Sequence, residues 1–152
     1  MTKKVYEKII EEMKEYLSIQ IPYELKEKNF EKINQNKLIG ANINIVGEEQ
    51  CEFYIFGEKE LFFEIAKKNH GFEVPEEVIP SYVGELWNFV LAPIIKKIKR
   101  LGVEIDISHS VPLTDIPEEV NHDEKISYEI NEGKSLVGNL NIYMLDLKKG
   151  DK

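Results

Sequence analysis

The stretch 80–100 constrains the fold more than any other part of the sequence, because its apolar side chains recur with the α-helical period of about 3.6 residues. On a helical wheel, one sector is apolar and holds Val83, Leu86, Trp87, Val90, Leu91, Ile94, Ile98 and Leu101. The opposite sector is polar or small and holds Ser81, Glu85, Asn88, Ala92, Lys96 and Lys99. Gly102 follows in the position where many helices end. We therefore predict a long helix with a buried face and a solvent face.

The segments around this helix change to the two-residue period that is typical of β-strands. Apolar residues alternate in 38–45 and in 51–56, and the turn signal Gly47-Glu48-Glu49-Gln50 separates the two runs. This pattern predicts an antiparallel hairpin. The further predicted elements are a short strand at 103–107, a loop with Pro112 and Pro117, and a second hairpin from 125–131 and 136–145.

Two more helices are predicted in the first half of the chain. The first begins at the capping residue Thr2 and carries apolar residues at three- and four-residue spacing as far as Leu17. The second covers 58–69 and ends before Gly71, while 23–37 is weakly patterned and predicts an irregular edge strand. The order of these elements predicts an α+β fold, with helices packed on one face of a mainly antiparallel sheet. We expect a single domain over 1–152.

Composition excludes several classes of function. The 152 residues include 42% hydrophobic and 32% charged residues, which suits one domain with a packed core. A net charge of −8 argues against binding to duplex nucleic acid, which needs clustered Lys and Arg. The longest apolar run, 89–95, is far shorter than a membrane span, and no signal peptide is recognisable at the start. We expect a soluble, cytoplasmic protein.

Common catalytic and metal-binding motifs are not found. Cys51 is the single cysteine, and His70, His109 and His122 share no ligand spacing with it or with each other, so we expect no metal site. Gly133-Lys134-Ser135 lacks the earlier glycine of a phosphate-binding loop and is better explained as a hairpin turn. The basic run at the end of the long helix is better explained by favourable interaction with the helix dipole than as a binding patch.

Glu85 and Asn88 form the pair with the most chemical potential. Residues three apart are neighbours on a helix surface, and both lie in the predicted solvent sector. A carboxylate accepts hydrogen bonds from a cation, whereas a carboxamide both donates to and accepts from water. Such pairs also occur on many ordinary solvated helices, so the pair alone is a weak indication of function.

The surrounding sequence makes the pair more informative. Gly84-Glu85-Leu86-Trp87-Asn88, followed by Leu101-Gly102-Val103-Glu104-Ile105-Asp106-Ile107, resembles the CheX-type chemotaxis phosphatases of the CheC/CheX family. Their hallmark is Glu-x-x-Asn on a long helix, followed by Leu-Gly and a strand. The element order over most of the chain is similar to theirs, and the presence of one motif, where CheC-type relatives often carry two, favours the CheX branch.

The resemblance implies hydrolysis of the phosphoaspartate in a CheY-like response-regulator receiver. It implies that Glu85 pairs with a lysine of the receiver and that Asn88 orients the attacking water. Ser81, Ala92 and Lys96 lie in the same sector and are candidate partner-binding residues. No cofactor of its own is expected, since the Mg²⁺ belongs to the acidic pocket of the receiver.

Two departures from the family pattern keep a second hypothesis open. Trp87 directly precedes the Asn, where relatives have a small residue, and Pro93 lies beyond it in the same helix. The alternative is a receiver-binding or scaffold module that has lost turnover, and a third hypothesis is an unrelated α+β ligand-binding domain. We also expect a homodimer, because 136–145 alternates like an exposed edge strand that could pair with a second copy.

Overall fold

A computed structural model describes residues 2–28, 38–114, 116 and 120–147. Within these residues, the helices are α1 (Lys3–Gln20), α2 (Lys59–His70) and α3 (Ile79–Arg100), with a single 3₁₀ turn at Glu76–Val78 before α3. The strands are β1 (Glu24–Glu27), β2 (Leu38–Gly47), β3 (Cys51–Glu58), β4 (Ile105–Ile107), β5 (Val111–Leu113), β6 (Glu124–Glu132) and β7 (Ser135–Asp146). The predicted α+β class is confirmed.

The strands form one antiparallel sheet in the order β1-β6-β7-β3-β2-β4, and β5 also pairs with β2. Ile43 of β2 pairs with Phe53 of β3, which pairs in turn with Met144 of β7. This register aligns apolar side chains in rows on one face of the sheet, where they join residues of all three helices in one core. The helices therefore cover a single face of the sheet, as predicted.

The second face of the sheet has a different chemistry. Its rows contain polar and aromatic side chains, and one such row runs from Asn42 through Tyr54 to Tyr143. The rings of Tyr54 and Phe56 stack at 6.0 Å between centroids. Because the side chains of a strand alternate between faces, the apolar face toward the helices follows directly from the two-residue period of the sequence.

The predicted start of the first helix at Thr2 and the predicted stop of the second at Gly71 are confirmed. The Thr2 hydroxyl accepts a hydrogen bond from the backbone N–H of Val5 at 3.4 Å and caps α1. Gly71 ends α2 in the left-handed conformation with φ of 81°, which favours glycine. Of the weakly patterned segment 23–37, the structure shows the short strand β1 at the edge of the sheet, and 29–37 lies outside the described residues.

The structure corrects the prediction for the last strand. β7 lies inside the sheet between β6 and β3, so it is not an edge strand. A two-residue alternation indicates which residues share a face of the sheet, but it does not indicate whether the strand pairs with one or with two other strands. Asn141, 1% exposed, and Tyr143, 6% exposed, lie on the second face of the sheet and are buried there. The argument for a homodimer through this strand is therefore wrong.

Two smaller predictions are also wrong. Leu101, assigned to the apolar sector of the helix, is 67% exposed, because the chain leaves the helix there and the wheel no longer applies. Val111–Leu113, predicted as part of a loop, forms β5 against β2, an interaction that depends on a distant segment and leaves no periodic signal in three residues. The rest of that loop, at 115 and 117–119, and the predicted frayed tail from 148 lie outside the described residues.

The helical stretch Glu76–Arg100 is long and apolar enough, by length and composition, to cross a membrane. Half of the relevant window is buried inside the fold, as happens for the core helix of a soluble protein. The apolar side chains of α3 therefore pack against the sheet and α1 in this structure, as the wheel predicts.

Candidate functional site

The buried side of α3 holds the helix firmly against the rest of the fold. Val83, Trp87, Val90 and Ile94 are completely buried, which confirms the apolar sector at these positions. The Trp87 indole meets the ring of Phe53 edge to face, with 6.4 Å between centroids. Trp87 is thus a core residue, as predicted, and its position beside Asn88 leaves the solvent face of the helix unobstructed.

The opposite side of α3 brings the predicted site residues together on one face. Ser81, Glu85 and Lys96 are exposed, while Asn88 and Ala92 are half-buried. At about 1.5 Å of rise per residue, Glu85 and Asn88 are about 4.5 Å apart along the helix axis. The whole row from Ser81 to Lys96 extends over about 22 Å. Such a row is long enough to contact the surface of another protein.

The two central side chains of this row have no internal partners. Within the part of the chain that the structure describes, neither the Glu85 carboxylate nor the Asn88 amide makes a hydrogen bond or an ion pair. Lys97, on the flank of the same helix, shows the contrast, because its Nζ lies 2.8 Å from Oε2 of Glu12 on α1. Glu85 and Asn88 are therefore available to a partner without the loss of an existing contact.

Tyr82 shows how the Glu85 carboxylate affects its surroundings. Burial raises the pKa of the Tyr82 hydroxyl, and the negative charge of Glu85 raises it further, against the effect of a hydrogen bond from Asn69. The Asn69 amide donates that bond to the Tyr82 hydroxyl at 2.9 Å and links α2 to the start of α3. Glu85 thus carries a negative charge next to a neutral phenol, which suits an approaching cation.

Gly84 explains how a loop approaches the helix beside the pair. A Cβ atom at this position would lie 2.6 Å from the Ser110 hydroxyl oxygen and 3.1 Å from its Cβ, so Ser110 would have to shift to admit a side chain. Ser110 belongs to the connection between β4 and β5, and its neighbour Ser108 accepts a hydrogen bond from the Asn44 N–H at 2.9 Å. Glycine at 84 therefore allows a loop that is anchored to β2 to lie next to the Glu85–Asn88 turn.

Two exposed apolar residues next to the site were not identified from the sequence. Phe89 follows Asn88 and is 49% exposed, and Val111 follows Ser110 and is 52% exposed. On the wheel, Gly84 and Phe89 lie on opposite sides of Asn88, so apolar groups flank the polar pair. Phe89 could have been found as a large aromatic residue outside the apolar sector, whereas Val111 lay in a segment predicted to be a loop.

A depression of about 560 Å³ lies beyond the pair, between the second half of α3 and β4. Its lining includes Ala92 and Lys96 from the predicted row, together with Lys99, Arg100 and Asp106. A neighbouring depression of about 540 Å³ shares Lys99 and Asp106 with it. The surface of α3 therefore changes along its length, from the polar pair to a concave region with basic residues.

The described residues contain no group of three or more His, Cys, Asp or Glu that could hold a metal ion. The three histidines are exposed and lie on separate elements or loops. Burial raises the pKa of the Cys51 thiol to about 12, so it is a core residue without thiolate character near neutral pH. The chemical potential of the site therefore lies in the carboxylate and the amide of α3.

Comparison with solved structures identifies the fold. No protein-family model and no curated protein matches this sequence. The chain has the fold of the CheC-like and CheX chemotaxis proteins, over almost its whole length and theirs.

Three solved structures illustrate the likeness. A CheC-like superfamily protein from Shewanella sp. PV-4 is 23% identical, with a TM-score of 0.65 over 95% of this chain and 99% of that one. The CheX–CheY–BeF₃–Mg²⁺ complex from Borrelia burgdorferi is 13% identical, with a TM-score of 0.70 over 93% of this chain and 98% of that one. CheX from Vibrio vulnificus is 19% identical, with a TM-score of 0.68 over 93% and 95%.

Proposed function

We propose that this chain is a CheX-like phosphatase that hydrolyses the phosphoaspartate of a CheY-like receiver and so terminates a chemotaxis-type signal. The observation that carries the proposal is the position of Glu85 and Asn88, side by side on the solvent face of a helix whose other face is buried. Neither side chain has a hydrogen-bond or ion-pair partner among the described residues. The fold supports it, since a CheX protein with this fold has been solved in complex with CheY. The row from Ser81 to Lys96 would form the docking surface.

Hydrolysis of an acyl phosphate depends mainly on positioning. A water molecule must attack the phosphorus in line with the bond to the aspartate oxygen; that bond breaks, and inorganic phosphate and the free carboxylate are formed. The Asn88 amide can hold the water, because its oxygen can accept a hydrogen bond from the water and its NH₂ group can donate one to the water oxygen. Positioning of this kind accounts for several orders of magnitude in rate. Asn88 would thus act on the water, after docking.

Glu85 has a separate task in this proposal. Its carboxylate would pair with the receiver lysine beside the phosphorylation site and hold the receiver in register over Asn88. The charge on the transferred phosphoryl group would be balanced by the Mg²⁺ of the receiver, so the phosphatase needs no metal of its own.

The proposal also includes a cytoplasmic location and a homodimer. A dimer formed by strand pairing would use β1 or the β4–β5 edge, because β7 is internal.

One observation favours the second candidate, a receiver-binding module without turnover. Pro93 lies inside α3 about one turn beyond Asn88, where it removes the backbone hydrogen bond to the carbonyl of Phe89. A small displacement of Asn88 would reduce catalysis by positioning and leave docking intact. The two candidates therefore differ in turnover and agree in binding.

The test combines turnover and binding on the same proteins. Purified receivers from the same organism are phosphorylated with labelled phosphate, and loss of label is followed with and without this protein. Binding is measured in parallel with receivers that carry BeF₃⁻ and Mg²⁺. Faster loss of label supports the phosphatase, binding without faster loss supports the scaffold, and the absence of both contradicts both candidates.

Glu85→Ala adds a test of the docking role. We expect about tenfold weaker binding, because a charge that meets a lysine across the interface is removed. Glu15→Ala is the matched control, since Glu15 is an exposed carboxylate on α1 with no ion pair among the described residues. Equal binding by Glu85→Ala, Glu15→Ala and the wild type would remove Glu85 from the site.

A further inference from the structure

Positive charge is concentrated on the second half of α3, although the protein as a whole is acidic. The chain has a net charge of −8, and several lysines on its other surfaces form ion pairs, such as Lys14 with Glu27 at 3.2 Å. In contrast, Lys96, Lys99 and Arg100 form no ion pair with any residue that the structure describes. Interaction with the C-terminal end of the helix explains basic residues in the last turn, but not why they surround a concavity.

These basic residues line the depression of about 560 Å³ between α3 and β4. Its apolar wall comes from Ala92, Ile95 and Ile107, and Ile95 is almost fully buried at the base of the helix face. One carboxylate, that of Asp106, also lines the depression, and its Oδ1 accepts a hydrogen bond from the N–H of Ile107 at 2.9 Å. An apolar wall with a cationic rim suits an apolar side chain that lies next to carboxylates.

The helix determines how far this depression lies from the catalytic pair. With a rise of about 1.5 Å per residue, Ala92 is about 6 Å beyond Asn88 along the axis. Lys96 and Lys99 are about 12 and 17 Å beyond it. A domain that docks with its phosphoryl group at Asn88 therefore extends over the depression, provided that it follows the axis of α3.

We propose that this cationic depression, formed by Ala92, Ile95, Lys96, Lys99, Arg100 and Asp106, is a second docking contact for the receiver. It receives an acidic segment with an apolar side chain, and this segment meets α3 about 12–17 Å beyond Asn88 along the helix axis. The inference rests on the proposed function and deepens it, because it names a feature that selects among receivers. Glu85 provides a negative contact near Asn88, and the basic residues of the depression provide a positive contact farther along α3. Together the two contacts define the direction in which the receiver lies on the helix.

The test reverses the charge of the depression. The probe is the receiver that the wild-type protein binds, loaded with BeF₃⁻ and Mg²⁺, and association is followed by stopped flow at low and high salt. For Lys96→Glu/Lys99→Glu we expect association at least about tenfold slower at low salt, and a smaller difference at high salt. KM for the phosphorylated receiver should rise in the same proportion, while kcat stays within about twofold, because Asn88 is unchanged.

The control carries the same charge change elsewhere. Lys4→Glu/Lys134→Glu alters two exposed lysines on α1 and the β6–β7 turn, neither of which has an ion pair among the described residues. Asp106→Asn gives a charge change of opposite sign. It removes the one acidic side chain among the described residues that line the depression, and it keeps an oxygen as an acceptor for the N–H of Ile107. We expect it to accelerate association. If Lys96→Glu/Lys99→Glu does not fold, Lys96→Gln/Lys99→Gln is used instead. We expect it to slow association about half as much on a logarithmic scale, because it removes the two charges without reversing them.

The outcomes separate this inference from the proposed function. If the wild type binds a receiver and the Lys96/Lys99 variants associate as fast as the wild type or the remote control, the second contact is wrong and Lys96 drops out of the docking row. The phosphatase proposal itself, which depends on Glu85 and Asn88, then stands. Slower association by Asp106→Asn would also contradict an acidic partner segment. If the wild type binds no receiver, the proposed function fails, and the inference fails with it.

Discussion

The two faces of α3 have different roles, although residues of both faces follow one another along a single helix. Trp87 is completely buried and packs against Phe53, whereas its neighbour Asn88 reaches solvent and makes no side-chain hydrogen bond in the described part of the chain. One rotation of about 100° separates them. The buried face accounts for stability and the solvent face for recognition, so substitutions on the two faces should have separable effects.

The largest expected effect on stability is on the buried face. Trp87→Ala should lower the free energy of unfolding by about 3–5 kcal/mol, as typical of a buried aromatic residue that is truncated. Trp87→Phe should cost less than half as much, because it keeps a ring against Phe53 and the indole N–H has no hydrogen-bond partner in the described residues. Urea unfolding followed by circular dichroism measures both, and an unchanged midpoint for Trp87→Ala would place Trp87 at the interface.

A smaller effect is expected where α3 meets α1, and it depends on pH. Ion pairs with Lys97 and Lys8 hold the pKa of the Glu12 carboxyl below its ordinary value of 4.5. Because the folded state favours the charged form, this contribution is present above pH 4.5 and is lost as the pH falls through the lowered pKa. Glu12→Gln should therefore cost about 1–2 kcal/mol at neutral pH and almost nothing in strong acid.

Neighbouring lysines provide the control for this prediction. Lys97→Gln should destabilise the fold at neutral pH, because it removes the 2.8 Å contact with Glu12. Lys96→Gln should change the free energy of unfolding by no more than about 0.5 kcal/mol, since Lys96 is exposed and unpaired within the described chain. Equal effects of the two substitutions at pH 7 would contradict the division between the faces of α3.

The smallest expected effect is on the apolar rim of the site. Phe89→Ser should weaken receiver binding by about fivefold to tenfold through the loss of an exposed aromatic contact, with a change in stability within about 0.5 kcal/mol. Leu136→Ser is the matched control, because Leu136 is an exposed apolar residue at the start of β7. If both variants bind the receiver as the wild type does, Phe89 lies outside the interface.

The sequence predicted those features that depend on a local period. The two-sided character of α3, the buried Trp87 and the first hairpin follow from spacing alone, because burial of one face is a property of the periodic element itself. The capping residue Thr2 and the stop at Gly71 have local chemical causes and were predicted for the same reason.

Features that depend on distant segments were not predictable in this way. The internal position of β7 depends on which strands pair with it, and the short strand β5 exists because β2 offers it a partner. The approach of Ser110 to Gly84, and hence the rim formed by Val111, follows from that pairing. The cationic depression likewise needs β4 beside α3, so the sequence alone explains its basic residues by the helix end and indicates partner binding for Lys96 alone.

The most direct test of the account is the phosphoryl lifetime of the receiver in the presence of Asn88→Ala. The substitution removes a preorganised polar contact to the water, which typically costs about 10²–10³ in the chemical step. We predict that this variant binds the BeF₃⁻-loaded receiver within about twofold of the wild type and unfolds within about 0.5 kcal/mol of it. In its presence, labelled phospho-receiver should decay at close to the spontaneous rate, while the wild type accelerates the decay. Full phosphatase activity in Asn88→Ala would contradict the proposed mechanism.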